Sequence, residues 1–311
     1  QDTGTHVAKV RLLSDMEARL KTKAEQHLHD FVKQAWPLVE PGVPFLDNWH
    51  IILICEYLMA VSLGIIKRLW INIPPRYSKS TLVSVMWPCW EWAAIKPSQS
   101  WVVSTYVQSL STTLSRKRRD IVSSPWYQSR WPMPLRPDLN TQDEFGTTLG
   151  GVMIATSVGG RATGLGGDRL LIDDPTDPGQ AISDTERERS NEWYFSTFAS
   201  RLNDKRMGAI VGIQQRLHQH DMTGALTGLD ITDMNGHVLE GNGWTLLRIP
   251  LVAEQDEDLY SPLPGHRLIH SRKEGDLLWP EREGPEQIAE YKNREYVYAA
   301  QFQQRPSPKA G

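Results

Sequence analysis

Apolar residues along this chain recur with two different periods, and the switch between them lays out an architecture. From Val10 to about Trp36, the positions Leu12, Leu13, Met16, Leu20, Ala24, Leu28, Phe31 and Val32 return at helical spacing. That predicts a long helix, closed by Pro37 and the Pro41–Pro44 segment. A second helix is predicted over Phe45–Leu63, stopped by Gly64. Beyond it the apolar runs become short and continuous: Leu69–Ile73, Trp101–Ser104, Arg169–Ile172, Gly208–Ile213 and Trp244–Ile249. Such runs suit strands buried on both faces. Helical stretches separate them. Leu82, Val83, Val85, Met86 and Trp90 make one buried face, and Val107–Ser123 is a further helix. A capping box at Ser183–Glu186 opens another, on which Phe195, Phe198 and Leu202 share a face. Strands alternating with helices over residues 68–250 predict an α/β fold, a mostly parallel central sheet with helices on both faces.

The pattern fades elsewhere. Residues 124–146, rich in Pro, Trp and polar groups, read as loops; Thr147–Thr156 alternates as a strand broken by a Gly150-Gly151 turn. The last sixty residues are polar and rich in Pro and Gly, with one helix near Pro285–Asn293. The expected division is an N-terminal helical arm (1–40), a core (41–250) and a C-terminal lid or linker (251–311).

Composition narrows the class. With 311 residues, 40% hydrophobic and 23% charged, the chain has the balance of a water-soluble globular protein. A net charge of −3 argues against a surface that clings everywhere to nucleic acid. Two cysteines, Cys55 and Cys89, cannot build a disulfide framework or a four-cysteine zinc site, so they are expected in the core and the default compartment is a reducing cytosol. The longest apolar stretch, Ile51–Ile66, contains Glu56 and is too short to span a bilayer.

The chemistry gathers at three strand ends. After Leu69–Ile73 the chain reads Pro74-Pro75-Arg76-Tyr77-Ser78-Lys79-Ser80-Thr81 and then turns helical, the strand–loop–Lys-[Ser/Thr]–helix layout of a phosphate-binding P-loop. Ile73 and Ser78 stand where the motif has glycines, so Ser78 is expected to adopt an unusual backbone conformation or to rearrange when nucleotide binds. Two carboxylates, Asp173 and Asp174, end the strand at residues 169–172, and Gln214-Gln215-Arg216 ends the strand at Gly208–Ile213. Ligands of parallel sheets sit at the carboxyl ends of strands. Hydrolysis of a nucleoside triphosphate needs just these groups. Lys79 would neutralise phosphates, Ser80 and Asp173 would hold Mg²⁺, and Asp174 would orient and deprotonate water. Gln214 or Gln215 would sense the terminal phosphate, and Arg76, Arg161 or Arg201 would stabilise transition-state charge. Trp49 and His50, just before the P-loop strand, could stack on and bond a nucleobase. His218-Gln219-His220-Asp221 lacks the spacing of a zinc site. Arg116, Lys117, Arg118 and Arg119 form the best DNA-backbone candidate; over residues 111–136 they stand with Arg130 and Arg136 against a single acid, Asp120.

These residues resemble the large subunit of a tailed-bacteriophage terminase, the DNA-packaging motor. Pro74–Ser80 is similar to that family's deviant Walker A, and Leu170–Pro175, after the glycine-dense Val158–Asp168 loop, to its Walker B. Gln214–Asp221 is similar to its coupling motif, and Ala300–Pro306 to the junction with its nuclease domain. The resemblance implies a P-loop NTPase of the ASCE type and an ATPase using ATP and Mg²⁺. It implies double-stranded DNA, a portal protein, a procapsid and a small terminase subunit as partners, a homo-oligomeric ring (a pentamer), and the cytoplasm of an infected host cell. It also implies that this chain holds the motor without the nuclease and does not cut DNA. Asp174 departs from the family's usual Glu, Gln-Gln-Arg-Leu replaces Thr-Arg-Trp, and Leu165 replaces an arginine, which leaves Arg161 as the candidate finger toward a neighbouring subunit. The alternatives are a nucleotide-dependent DNA-binding or regulatory module and a helicase-like ATPase.

Overall fold

A computed structural model describes residues 2–160, 164–229 and 236–307. The N-terminal arm is two helices, α1 (Asp2–Gln26) and α2 (Leu28–Val39), broken at His27, whose φ of −137° leaves the helical region. Pro37 does not close the helix as expected. It lies in the last turn of α2, where it forfeits one hydrogen bond, and the helix runs on to Val39. Leu28, Phe31, Val32 and Ala35 are buried, whereas Leu12, Leu13 and Met16 on α1 are half-exposed, so the apolar stripe enters the core only in its second half. Helix α3 (Trp49–Ser62) begins later than expected, after the extended N-cap Asn48, and is buried nearly all round. Gly64, with φ +77°, turns the chain from it into β1 (Arg68–Asn72).

The P-loop follows β1 and passes into a π-helical turn, Thr81–Met86, that continues as α4 (Trp87–Ala94). Then come β2 (Ser100–Thr105), α5 (Gln108–Ser123) and α6 (Pro125–Arg130). Strands β3 (Leu135–Asn140), β4 (Glu144–Thr147), β5 (Val152–Ser157) and β6 (Arg169–Asp173) lead to α7 (Asp184–Trp193). The sheet is completed by β7 (Ala209–Gln214), α8 (Met222–Thr227), β8 (Val238–Gly241) and β9 (Trp244–Arg248). A separate antiparallel pair, β10 (Glu257–Tyr260) and β11 (Leu268–Arg272), precedes α9 (Pro285–Lys292).

Among the described residues, nine strands form one sheet in the order β3-β4-β5-β2-β6-β7-β1-β9-β8. The six central strands are parallel; β4 and β3 at one edge and β8 at the other are antiparallel. Residues 124–146 are therefore not a run of loops, because they hold α6, β3 and β4. The edge strand β3 carries Pro137, which an edge tolerates and a central strand would not. Two apolar cores cover the sheet. On one face Leu69, Ile71 and Ile73 pack with α2, α3 and α4; on the other Trp70, Leu170 and Ile172 pack with Trp193, Phe198 and Leu202. Phe195 does not join that face: a π-helical turn at Tyr194–Phe198 leaves it 56% exposed. Cys55 and Cys89 are buried core thiols. No helix among the described residues is long and apolar enough to cross a membrane.

The strand order decides what meets what. Strand β7 lies between β1 and β6, so the Gln-Gln end is held between the P-loop and the paired carboxylates.

Candidate functional site

The P-loop is built on two left-handed residues. Arg76 has φ +71° and Ser78 φ +62°, conformations an L-residue enters at a cost that glycine avoids. Ser78 thus takes the backbone conformation expected of the motif's second glycine. Between them Tyr77 is fully buried, donating from its hydroxyl to Glu283 Oε2 at 2.8 Å and packing edge-on against His50. Arg76 is exposed and Pro75 half-buried.

Lys79 is buried with its ammonium among acceptors. It donates to Asp174 Oδ1 at 2.5 Å and to Oε1 of Gln215. Asp174 is left-handed too, with φ +45°, and its backbone is pinned by β7 and by the chain entering α5: its N–H donates to Ile213 O at 2.9 Å, and its carbonyl accepts from Tyr106 N at 3.1 Å. Beside it Asp173 is fully buried, accepting from Ser80 Oγ at 3.0 Å and from Ser84 Oγ at 2.5 Å. Burial, and then the neighbouring charge of Asp174, push the Asp173 carboxyl above the ordinary carboxylate range, opposed by Lys79 and the two serines. Thr81 begins the π-helical turn, half-buried.

The π-helical turn explains Ser84. Its wider winding follows the P-loop directly and sets a second hydroxyl, four residues after Ser80, on the same carboxylate. Reading the sequence missed Ser84, and the Ser-x-x-x-Ser spacing was the available signal. A carboxylate with a hydroxyl, both hard oxygen donors, fits Mg²⁺, which takes few protein ligands and completes its shell from phosphates and water. Among the described residues no group of three or more His, Cys, Asp or Glu forms an all-protein metal cage.

Several sequence candidates stand elsewhere. Successive side chains of a strand point to opposite faces; Gln215 reaches Lys79, whereas Gln214 turns to the far face and donates to Thr223 Oγ1 at 2.6 Å, a hydroxyl that Trp70 and Asn72 also approach. Gln214 is therefore outside the site. Trp49 is stacked on His270 of β11, with centroids 5.1 Å apart, and Arg272 lies over the same ring. Its ring is already used in packing and does not offer a nucleobase shelf. His50 is fully buried, pairs with Asn48 and reaches the Tyr77 carbonyl at 3.3 Å. Burial pulls its pKa down to about 3, so it braces the loop as a neutral ring. Arg201 lies beside the start of β6, where its carbonyl accepts from the N–H of Gly167, at the end of the strand opposite Asp173. Arg161 lies outside the described residues. In the 218–221 segment, Asp221 caps α8, accepts from the Leu217 and His218 amides and pairs with buried Arg216, which makes it a loop clamp.

The basic stretch splits. Arg116 is exposed, Lys117 pairs with Glu40 at 2.8 Å, and Arg119 donates to Thr141 O at 2.8 Å. Arg118 is not a surface residue at all. It is fully buried against Ser84 O at 2.7 Å, because the inner face of α5 packs on the π-helical turn.

No protein-family model and no curated protein matches the sequence. Solved structures do match in fold. The HK97 bacteriophage large terminase superposes with a TM-score of 0.52 at 13% identity, over 87% of this chain and 52% of that one. A mutant of the Thermus phage P74-26 large terminase ATPase domain gives 0.50 at 11% identity, over 78% of this chain and 91% of its own. This chain thus spans about half the length of the HK97 protein. At such identities the likeness is one of fold, a mostly parallel sheet with helices on both faces shared with these large-terminase structures.

Proposed function

We propose that this chain is the ATP-hydrolysing motor part of a viral large terminase subunit, driving double-stranded DNA into a procapsid. The observation that carries the reading is the convergence of Lys79, Asp174 and Gln215 at one point beside the Ser80–Asp173 pair. Lys79 meets the β- and γ-phosphates of ATP by exchanging its present acceptors for phosphate oxygens. Asp174, released from the ammonium, orients the attacking water and takes its proton. Gln215, freed in the same exchange, reports the terminal phosphate to β7. Asp173 and Ser80 would hold Mg²⁺, which supplies charge neutralisation on the phosphates. Arg76, exposed on the loop, supplies cationic charge in the same subunit, and Arg161 is proposed to act toward a neighbouring one.

The remaining assignments follow from this reading. Residues 41–250 form the nucleotide core and 251–311 a lid and linker, supported by the Tyr77–Glu283 bond that joins the P-loop to the C-terminal segment. DNA, a portal, a small terminase subunit and further copies in a ring are the partners, met in the cytoplasm of an infected cell. A nucleotide-dependent binding module is the second reading, favoured by the ion pair that occupies Asp174. Phosphate release decides between them. Lys79→Ala should abolish nucleotide binding, and Asp174→Asn should keep binding while lowering turnover about 10²–10⁴-fold, the usual worth of a general base. Wild-type turnover in both variants would sink the assignment, and binding without release in the unmutated chain would favour the second reading.

A further inference from the structure

The two faces of α5 look onto different chemistry. On the outer face Arg116 and Arg119 line, with Thr112, Thr113 and Gln142, a cavity of about 220 Å³. Two guanidiniums and a carboxamide match the oxygens of a phosphodiester group, while the Thr112 and Thr113 hydroxyls donate to Asp143 and to Ser109 O. Asp143, which accepts from Thr112, is the acid beside it. On the inner face Arg118 donates to Ser84 O, while its Nε and Nη2 have no partner among the described residues. Ser84 in turn donates to Asp173. Burial lowers the Arg118 pKa only to about 10, so the guanidinium stays charged, with Asp173 among the charges acting on it. Just before the helix, Tyr106 N–H holds the Asp174 carbonyl. One helix of 16 residues, roughly 24 Å long, together with the Tyr106 lead-in, therefore contacts Ser84, which donates to Asp173, and the Asp174 backbone, and also lines the cavity.

We propose that α5 is a relay: a backbone phosphate of duplex DNA held in the Arg116–Arg119 cavity is coupled, through Arg118 and Tyr106, to the placement of Asp173 and Asp174. The relay rests on the ATP-site reading for its far end, and the cavity does not. Arg118 acts as a positioning residue through Ser84. Linkage makes the coupling reciprocal, so Mg·nucleotide must raise duplex affinity by the factor with which duplex raises nucleotide affinity, typically about 5–150.

The test is fluorescence anisotropy of a labelled duplex with and without Mg²⁺ and a non-hydrolysable ATP analogue, beside titration of a fluorescent nucleotide into wild type and Lys79→Ala. Arg116→Ala/Arg119→Ala should weaken duplex binding about tenfold or more and lower its log–log salt slope by about two. Arg118→Met should keep the nucleotide-free duplex affinity and lose the nucleotide-induced gain. Ser84→Ala removes the next bond in the relay, Ser84 Oγ to Asp173, while keeping the backbone carbonyl that Arg118 holds, and should behave alike; it also serves if Arg118→Met fails to fold. Unchanged duplex binding in the double variant, no nucleotide-induced gain in wild type, or a gain surviving in Ser84→Ala overturns the relay. Inorganic phosphate competing as well as unlabelled duplex overturns the nucleic-acid assignment. Nucleotide that fails to bind wild type, or binds Lys79→Ala equally well, instead overturns the ATP site, while the duplex measurements still decide the cavity.

Discussion

Backbone strain collects where this chain handles charge. Of the non-glycine residues with positive φ among those described, Arg76, Ser78 and Asp174 all belong to the candidate site. A left-handed L-residue costs roughly 1–2 kcal/mol, and only glycine escapes most of it. Ser78→Gly should therefore retain nucleotide affinity and shift stability by less than about 1 kcal/mol, since relieved strain is offset by a freer unfolded chain. Ser78→Val, β-branched, should lose about 2 kcal/mol or more in urea unfolding and bind no nucleotide. A valine variant as stable as wild type would refute the strain assignment. His50 yields a pH prediction. Its pKa falls from 6.5 unfolded to about 3 folded, so below pH 6.5 the unfolded chain binds a proton that the folded chain refuses. Stability should drop by about 1.4 kcal/mol per pH unit from 6.5 down toward 3. His50→Gln should lack this contribution, so the difference between the wild-type and variant pH–stability curves should carry that slope. At this scale the sequence was legible where a motif constrains the backbone, as at Ser78. It was silent where side-chain direction decides: two adjacent glutamines look alike until strand pleating sends Gln215 to Lys79 and Gln214 to Thr223.

Among the elements, legibility followed burial. Strands covered on both faces must be continuously apolar, so β1, β2, β6, β7 and β9 stood out in the sequence. The antiparallel edges β3, β4 and β8 mix polar with apolar residues, and β3 contains a proline, so nothing in their pattern separated them from loops. The helical turn after the P-loop was legible as a helix but not as a π-helix, the winding that lays Ser84 on Asp173. Central strands also carry an exacting packing demand. A Cβ on Gly212 of β7 would sit 1.9 Å from the Trp70 ring, which lies across that strand from β1. Gly212→Ala should cost about 3 kcal/mol or more, beyond the usual range for an added methyl, because ring and backbone are both fixed by the sheet. Thermal unfolding within a degree or two of wild type would show that Trp70 can move aside.

Across the whole molecule, the C-terminal segment closes on the site from far along the chain. Tyr77 meets Glu283, and Arg282 lies over both Tyr77 and Trp279. Gln303 pairs its carboxamide with both the N–H and the carbonyl of Val252, and its own carbonyl accepts from Arg248. Gln304, buried and left-handed at φ +54°, accepts the N–H of Arg216 at 2.9 Å. Arg216 directly follows Gln215, so a single peptide separates the contact with Lys79 from the contact with the C-terminal segment. No local sequence pattern announces an 88-residue link of this kind. Gln304→Met keeps the side-chain volume and removes the acceptor, leaving a buried N–H that costs about 1–3 kcal/mol. If the segment is a lid that holds Gln215 in place, nucleotide affinity should fall several-fold along with stability. The diagnostic comparison is Tyr77→Phe, which loosens the same segment at its other anchor without touching the Gln215 strand. Both variants should weaken nucleotide binding if the lid acts as one body. Should Gln304→Met lose stability while nucleotide affinity stays at the wild-type value, the segment is packing alone, and the path from Lys79 to the C-terminal end of the chain is broken at Arg216.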